Sequence, residues 1–236
     1  MYDDIYKTVE AGDTYFGGKQ MAAIARLALI ADELGETGLA DTFRTNLKSF
    51  LEPWLQNNGK LVYDRSWGGI VDSMGINDPG ANFGMGYYND HHFHFGYFVY
   101  AASVIAKSDS NWVNTYGDAV LSLIRDYSNP AYGNGDPNFT FMRNKDWFVG
   151  HSWAAGIFPF ADGRNQESSS ESVNGWYAVS LYGLATGNER IKDLGRLALA
   201  SEIRLDYFLF IDQCNSRLSF DQKLKVNTFN RNLITF

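Results

Sequence analysis

Three times along the chain, two stretches with apolar residues at helical spacing are separated by only a few small or polar residues, and such a chain must fold by laying helices back on one another. Met21, Ile24, Ala25, Ala28 and Leu29 mark one helix over 19–34, and Leu39, Phe43, Leu47, Phe50 and Leu51 mark another over 37–55. Gly35 is suited to end the first, Thr37 to start the second, and Pro53 is expected to stop it. The pairing recurs over 90–107 and 111–127, across Ser108-Asp109-Ser110, and over 167–184 and 189–203, across Thr186-Gly187-Asn188. Connections between the pairs are long. The first carries an expected strand pair or extended loop around Leu61-Val62-Tyr63 and Ile70-Val71, then a loop rich in Gly, Asn and Asp over 75–86. The second, 128–166, is irregular, and loops of that length in a compact domain usually serve function. Alternating short and long connections predict a mainly α protein, an α/α toroid of the six-hairpin barrel type whose long loops crowd one rim. About six to eight helices are expected, fewer than a closed ring of six hairpins requires, so the toroid is expected to be incomplete in this chain.

Charge and ring content narrow the partners. A formal charge of −7 with no cluster of Lys or Arg argues against nucleic acid or an anionic membrane. The chain holds 17 Phe, 14 Tyr and 6 Trp, and rings beyond the needs of a core often line grooves that bind flat apolar faces such as those of sugars. No apolar run is long enough to span a bilayer, and Met1 is followed by Asp3 and Asp4, so neither a transmembrane segment nor a signal peptide is expected. The single cysteine, Cys214, excludes an internal disulfide and leaves the compartment open.

Three constellations carry chemistry. In Asn165-Gln166-Glu167-Ser168-Ser169-Ser170-Glu171 two carboxylates stand four residues apart. On a helix they would share one face and raise the pKa of at least one of them, whereas the structural alternative is a serine-capped helix start. The segment Tyr87-Tyr88-Asn89-Asp90-His91-His92-Phe93-His94-Phe95-Gly96-Tyr97 opens an apolar helix. An acid such as Asp90 buried among rings there has the raised pKa that a general acid needs, against the alternative of a capping Asp. A metal held by His91, His92 and His94 is the third possibility, although neither His-Glu-x-x-His nor Cys-x-x-Cys is present. The third constellation, over 141–154 and 161–164, interleaves rings with polar groups. Trp147 and Trp153 are suited to stack on pyranose faces while Asp146, His151 and Arg164 bond hydroxyls, or both tryptophans belong to the core. Neither nucleotide-binding loops nor a Gly-x-Ser-x-Gly elbow occurs.

In order and spacing, Tyr-Tyr-Asn-Asp-His-His-Phe-His-Phe-Gly-Tyr-Phe-Val-Tyr-Ala-Ala, Asn-Lys-Asp-Trp-Phe-Val-Gly-His-Ser-Trp-Ala and Ala-Asp-Gly-Arg-Asn-Gln-Glu-Ser-Ser-Ser-Glu resemble glycoside hydrolase family 81. The resemblance runs from about Gly12 to Arg204 and includes Val62-Tyr63-Asp64 and Trp67-Gly68-Gly69. It implies endo-acting hydrolysis of internal β-1,3-glucosidic bonds with inversion, in an α/α barrel, with neither metal nor other cofactor. The implied roles are Asp90 as general acid, Glu171 as the base that activates water, and Glu167 as its close partner. Tyr88, His94, Asp146, Trp147, His151, Trp153 and Arg164 are the implied substrate contacts. The partner would be a laminarin-like or callose-like β-1,3-glucan, and the resemblance points to an extracellular or cell-wall setting.

The family's members are longer, with a β-sandwich ahead of the barrel, so this chain is expected to begin inside the barrel. After about Arg204 the expected continuation stops, which divides the chain into a partial α/α-barrel over 1–204 and a divergent tail over 205–236. Two other readings stay open: a catalytically weak glucan-binding chain, and a metallohydrolase built on the three histidines.

Overall fold

The computed structural model describes residues 2–131, 136–161 and 163–215, with side chains described as far as residue 205. Asp162 of the third motif, the side chain of Cys214 and the part of the expected tail over 216–236 lie outside the described residues.

The chain is mainly helical. Helices α1 (Thr14–Glu33) and α2 (Thr37–Leu55) form the first hairpin. A two-stranded antiparallel ribbon follows, β1 (Leu61–Asp64) with β2 (Gly69–Asp72), in register Leu61↔Asp72 to Asp64↔Gly69. Two short helical turns, α3 (Ser73–Asn77) and α4 (Ala81–Gly84), lead to the second hairpin, α5 (His91–Ala106) and α6 (Ser110–Ser128). The third is α7 (Ser169–Ala185) and α8 (Glu189–Asn215). No described helix is long and apolar enough to cross a membrane.

Local chemistry sets the helix ends, and four differ from the sequence expectation. Asp13 caps α1 by accepting the N–H groups of Tyr15 and Phe16, so the helix starts five residues before Lys19. Pro53 does not stop α2 but sits inside its last turn, where its missing N–H costs the helix a single bond near its end. Ser168 caps α7 by accepting the Glu171 N–H, which starts the helix at Ser169 and leaves Glu167 outside it in a left-handed conformation, φ 61°. Helix α8 continues past Ile203 to Asn215.

Helix α5 is the centre of the molecule. Every one of its residues except Tyr97 is buried, so it carries no polar face for a periodicity analysis to find. Helix α7 runs beside it in the same direction, with His92 against Ser172 and Tyr100 against Tyr177. Between those contacts the two backbones meet: a Cβ on Gly96 would lie 2.7 Å from the Cα of Gly175. Any larger side chain there would push the helices apart. On the other flank α1 is parallel as well, with Thr14 bonded to His94 and Gly18 against Tyr97 and Phe98. Three parallel helices therefore bring their N-termini to one end of the fold, each backed by its hairpin partner. That end holds Tyr15, Asp90 and Glu171.

Candidate active site

Asp90 immediately precedes α5 in a left-handed conformation, φ 60°, which Asp tolerates better than most residues. Its backbone is fixed on both sides. The N–H donates to the Ala154 carbonyl at 2.9 Å, and its own carbonyl accepts from the N–H groups of Phe93 and His94 at 2.8 and 2.9 Å. The side chain makes no capping bond, which removes the structural alternative for this residue. Instead the carboxyl is buried, with Oδ1 unpartnered. Burial, and secondarily the negative charges of Glu167 and Glu171, push its pKa up to about 8. A carboxyl group held neutral at pH 7 is a proton donor.

Glu171 lies in the first turn of α7. Its Oε1 accepts the Tyr97 hydroxyl at 2.7 Å, and the Lys19 ammonium stands 3.9 Å away. Lys19 in turn donates to the Tyr15 hydroxyl at 3.2 Å and lies over the Tyr15 ring. Residues from α1, α5 and α7 thus converge on one carboxylate. Glu167 is exposed in the turn before α7, so the two glutamates do not share a helix face as their spacing predicted. What they share is proximity to Asp90.

Ala154 joins the acid to the glutamate segment: its carbonyl receives the Asp90 N–H, and its N–H donates to the Asn165 carbonyl at 2.9 Å. The Gly156 N–H donates to Asn89 Oδ1 at 2.9 Å and the Ile157 N–H to the Tyr87 carbonyl at 2.8 Å, so 154–157 runs along the turn that presents Asp90. The irregular stretch 136–161 is in this way part of the site's wall.

The three histidines diverge. His91 places Nδ1 2.6 Å from Asp126 and Nε2 2.9 Å from the Met85 carbonyl, so both ring nitrogens are engaged. His92 faces Ser172, and burial holds its pKa well below the ordinary value. His94 faces Thr14, and burial pushes its pKa down to about 3. Among the described residues no three of His, Cys, Asp or Glu converge as metal ligands.

Of the expected substrate contacts, Tyr88 and His94 are buried and support the site from beneath. The Tyr88 hydroxyl donates to Asp64 and its ring lies under the Arg143 guanidinium. Asp146, His151, Trp153 and Arg164 do come together. The Asp146 carboxylate accepts the N–H groups of Phe148 and Val149 and the Trp153 indole, bonds that hold its pKa below the usual range, the indole first. Arg164 lies over the Trp153 ring and His151 meets that ring edge-on. Trp147 is partly exposed on the same loop.

Four residues near the pair are not singled out from the sequence: Tyr97, Lys19, Tyr15 and Phe83. The first three sit one per turn or so along helices, and nothing in a single strand of sequence says which turns face each other. Phe83 is more legible, since an exposed ring in a loop rich in Gly and Asn is unusual. It is left-handed, φ 65°, 52% exposed, and packs edge-on against Tyr15 and Phe16.

The chain is similar to known proteins over most of its length. The profile of the glycosyl hydrolase family 81 C-terminal domain matches residues 1–227, beyond the Arg204 at which the motif resemblance ends. A glucan endo-1,3-beta-D-glucosidase of Glycine max is 42% identical over 200 residues, which is 83% of this chain and 30% of that protein. One of the same name from Acetivibrio thermocellus is 42% identical over 203 residues, 82% of this chain and 25% of its own length. The solved structure of a family 81 glycoside hydrolase from Clostridium thermocellum, a glutamate-to-alanine mutant, superposes with a TM-score of 0.71 at 37% identity, covering 84% of this chain and 28% of that one. The chain thus spans less than a third of the length of these relatives.

Proposed function

From the premise that this chain belongs to glycosyl hydrolase family 81, we propose that it carries the acid and base of an endo-acting β-1,3-glucanase that hydrolyses internal bonds with inversion. The observation that carries this reading is the buried, unpartnered carboxyl of Asp90, kept protonated beside two glutamates. Asp90 gives its proton to the glycosidic oxygen as the bond to the anomeric carbon breaks. Glu171 takes a proton from a water that attacks that carbon from the opposite face, and the new hydroxyl stays on the sugar. Single displacement needs the two carboxyl groups roughly 6.5 to 9.5 Å apart, leaving room for the water. Glu167 keeps the Asp90 proton in place by its charge and orients the water.

The three hairpins form a sector of an α/α toroid in this reading, with the glucan crossing the end where α1, α5 and α7 begin. Exposed rings suit the flat faces of such a chain: Phe16 and Phe83 in one cluster, Phe158 and Phe160 beside the half-buried Tyr87 in another, and Trp147 in the loop beyond. The setting that goes with a glucan substrate is extracellular or at the cell wall, and fractionation of the producing cells checks it.

The test is proton NMR of laminarin-derived oligosaccharides during hydrolysis. Inversion makes the α-anomer the first product, and initial β-anomer would overturn the mechanism. Reducing-sugar release should fall by about 10²- to 10⁴-fold in Glu171→Gln, leaving a small residual rate. Retention on insoluble glucan without any sugar release would point instead to a binding protein.

A further inference from the structure

Among the described residues the closest contact on the Glu171 carboxylate comes from Tyr97, the one side chain of α5 that is not buried, with Lys19 in a longer ion pair to the same oxygen. The Tyr97 hydroxyl donates to Oε1 at 2.7 Å. Burial, and then the neighbouring Glu171, raise the Tyr97 pKa, so the phenol stays a donor at any working pH. Behind it, the Lys19 ammonium lies 5.9 Å from the Tyr97 ring centre and bonds the Tyr15 hydroxyl. The groups that face Glu171 are therefore Tyr97 from α5, Lys19 and Tyr15 from α1, Asp90 at the head of α5, and its own neighbour Glu167. Three of these are donors or cations beside the carboxylate, Glu167 is a like charge, and Asp90 holds its proton at neutral pH.

A base in an inverting hydrolase must present one oxygen to the water in a fixed direction. A free glutamate has three rotatable bonds and would point that way only part of the time. We infer that Tyr97 is a positioning residue, steadied by Lys19 and Tyr15, that occupies Oε1 of Glu171 and thereby aims the other oxygen at the attacking water. The close approach of α5 and α7 at Gly96 and Gly175 makes this possible, because it places Tyr97 one residue after the contact and Glu171 four residues before it. Lys19 reaches the same point because Gly18 lets α1 lie against Tyr97 and Phe98. Nothing here transfers a proton from Tyr97, whose bond to Glu171 is the same before and after turnover.

This inference rests on the acid–base reading above, and the experiment separates the two. In the full-length protein, Tyr97→Phe removes one oxygen and keeps the ring. The expected result is a fall in kcat of about 10- to 100-fold with KM within about twofold, since misaiming a catalytic group costs rate and not binding. In a Glu171→Gln background the same substitution should change the residual rate less than about twofold, because there is no longer a base to aim. Lys19→Met provides a second arm, with a smaller fall of about threefold to tenfold in kcat. Losses that multiply in the Glu171→Gln background would show that Tyr97 acts elsewhere and would overturn the inference. So would an unchanged kcat in Tyr97→Phe while Glu171→Gln has lost most of its rate. Full activity in Glu171→Gln would instead sink the acid–base reading itself.

Discussion

Two buried carboxylates of this chain are treated in opposite ways. Glu202 on α8 is saturated: it bonds the Lys145 ammonium at 2.7 Å, the Ser152 hydroxyl at 2.8 Å and the Ser152 N–H at 2.9 Å, and the Trp176 indole donates to the same hydroxyl. Both charged side chains are wholly inside. Asp90 has its N–H and carbonyl fixed but its side-chain Oδ1 unpartnered, with negative charges for neighbours. The first arrangement locks the loop over 144–153 to a helix. The second stores a proton. A buried acid with a complete set of partners is architecture, whereas one whose backbone is held and whose carboxyl is left alone is poised for chemistry.

That contrast is broken most severely by Asp90→Asn, which should lower kcat on laminarin by about 10²- to 10⁴-fold. The KM should change little. A variant that retained more than about a tenth of the parent rate would remove Asp90 from the mechanism. In the parent, kcat/KM should decline as pH rises through about 8, because the acid must be protonated to act.

Next in size is Glu202→Ala, which strands the Lys145 charge in the interior. Denaturant titration should show a loss of about 3 to 5 kcal/mol. A loss under about 1 kcal/mol would mean that the pair is not buried as described.

Asp90→Asn should also move stability, in the other direction. The folded carboxyl holds its proton more tightly than the unfolded one, so the parent loses stability as pH rises between about 4 and 8 and recovers it on acidification. The amide carries no such penalty. Thermal melts should favour the variant at pH 9, by on the order of a few kcal/mol, and show no advantage at pH 3.5. Equal melting points at both pH values would contradict the burial of a lone carboxyl.

The smallest expected effect is at the rim. Phe83→Ala should raise KM for long glucans about threefold to tenfold through lost stacking, leaving kcat within about twofold. An unchanged KM would take the Phe83 cluster out of the groove.

Much of this was legible in the sequence because it depends on local spacing. The short breaks after Leu34, Lys107 and Ala185 give the three hairpins, and the ring-rich frame around Asp90 gives a raised pKa. Glu167 was misplaced because E-x-x-x-E reads as one helix face only if the helix includes both residues, and Ser168 captures the Glu171 N–H to begin it between them. Tyr97 was invisible for a different reason. On a helix that is apolar all round no periodicity distinguishes the one residue left partly exposed, and its contact with Glu171 arises from α7 docking through Gly175. The Lys145–Glu202 pair joins residues 57 apart in sequence, a link that spacing cannot reveal.

The central claim is that the Asp90 carboxyl keeps its proton at neutral pH. A carbon-13 NMR titration of aspartate-labelled protein, with the Asp90 signal assigned by its disappearance in Asp90→Asn, tests it directly. The account predicts a midpoint about four pH units above that of an ordinary aspartate, near pH 8. A midpoint in the ordinary range near 4 would leave the site without its acid.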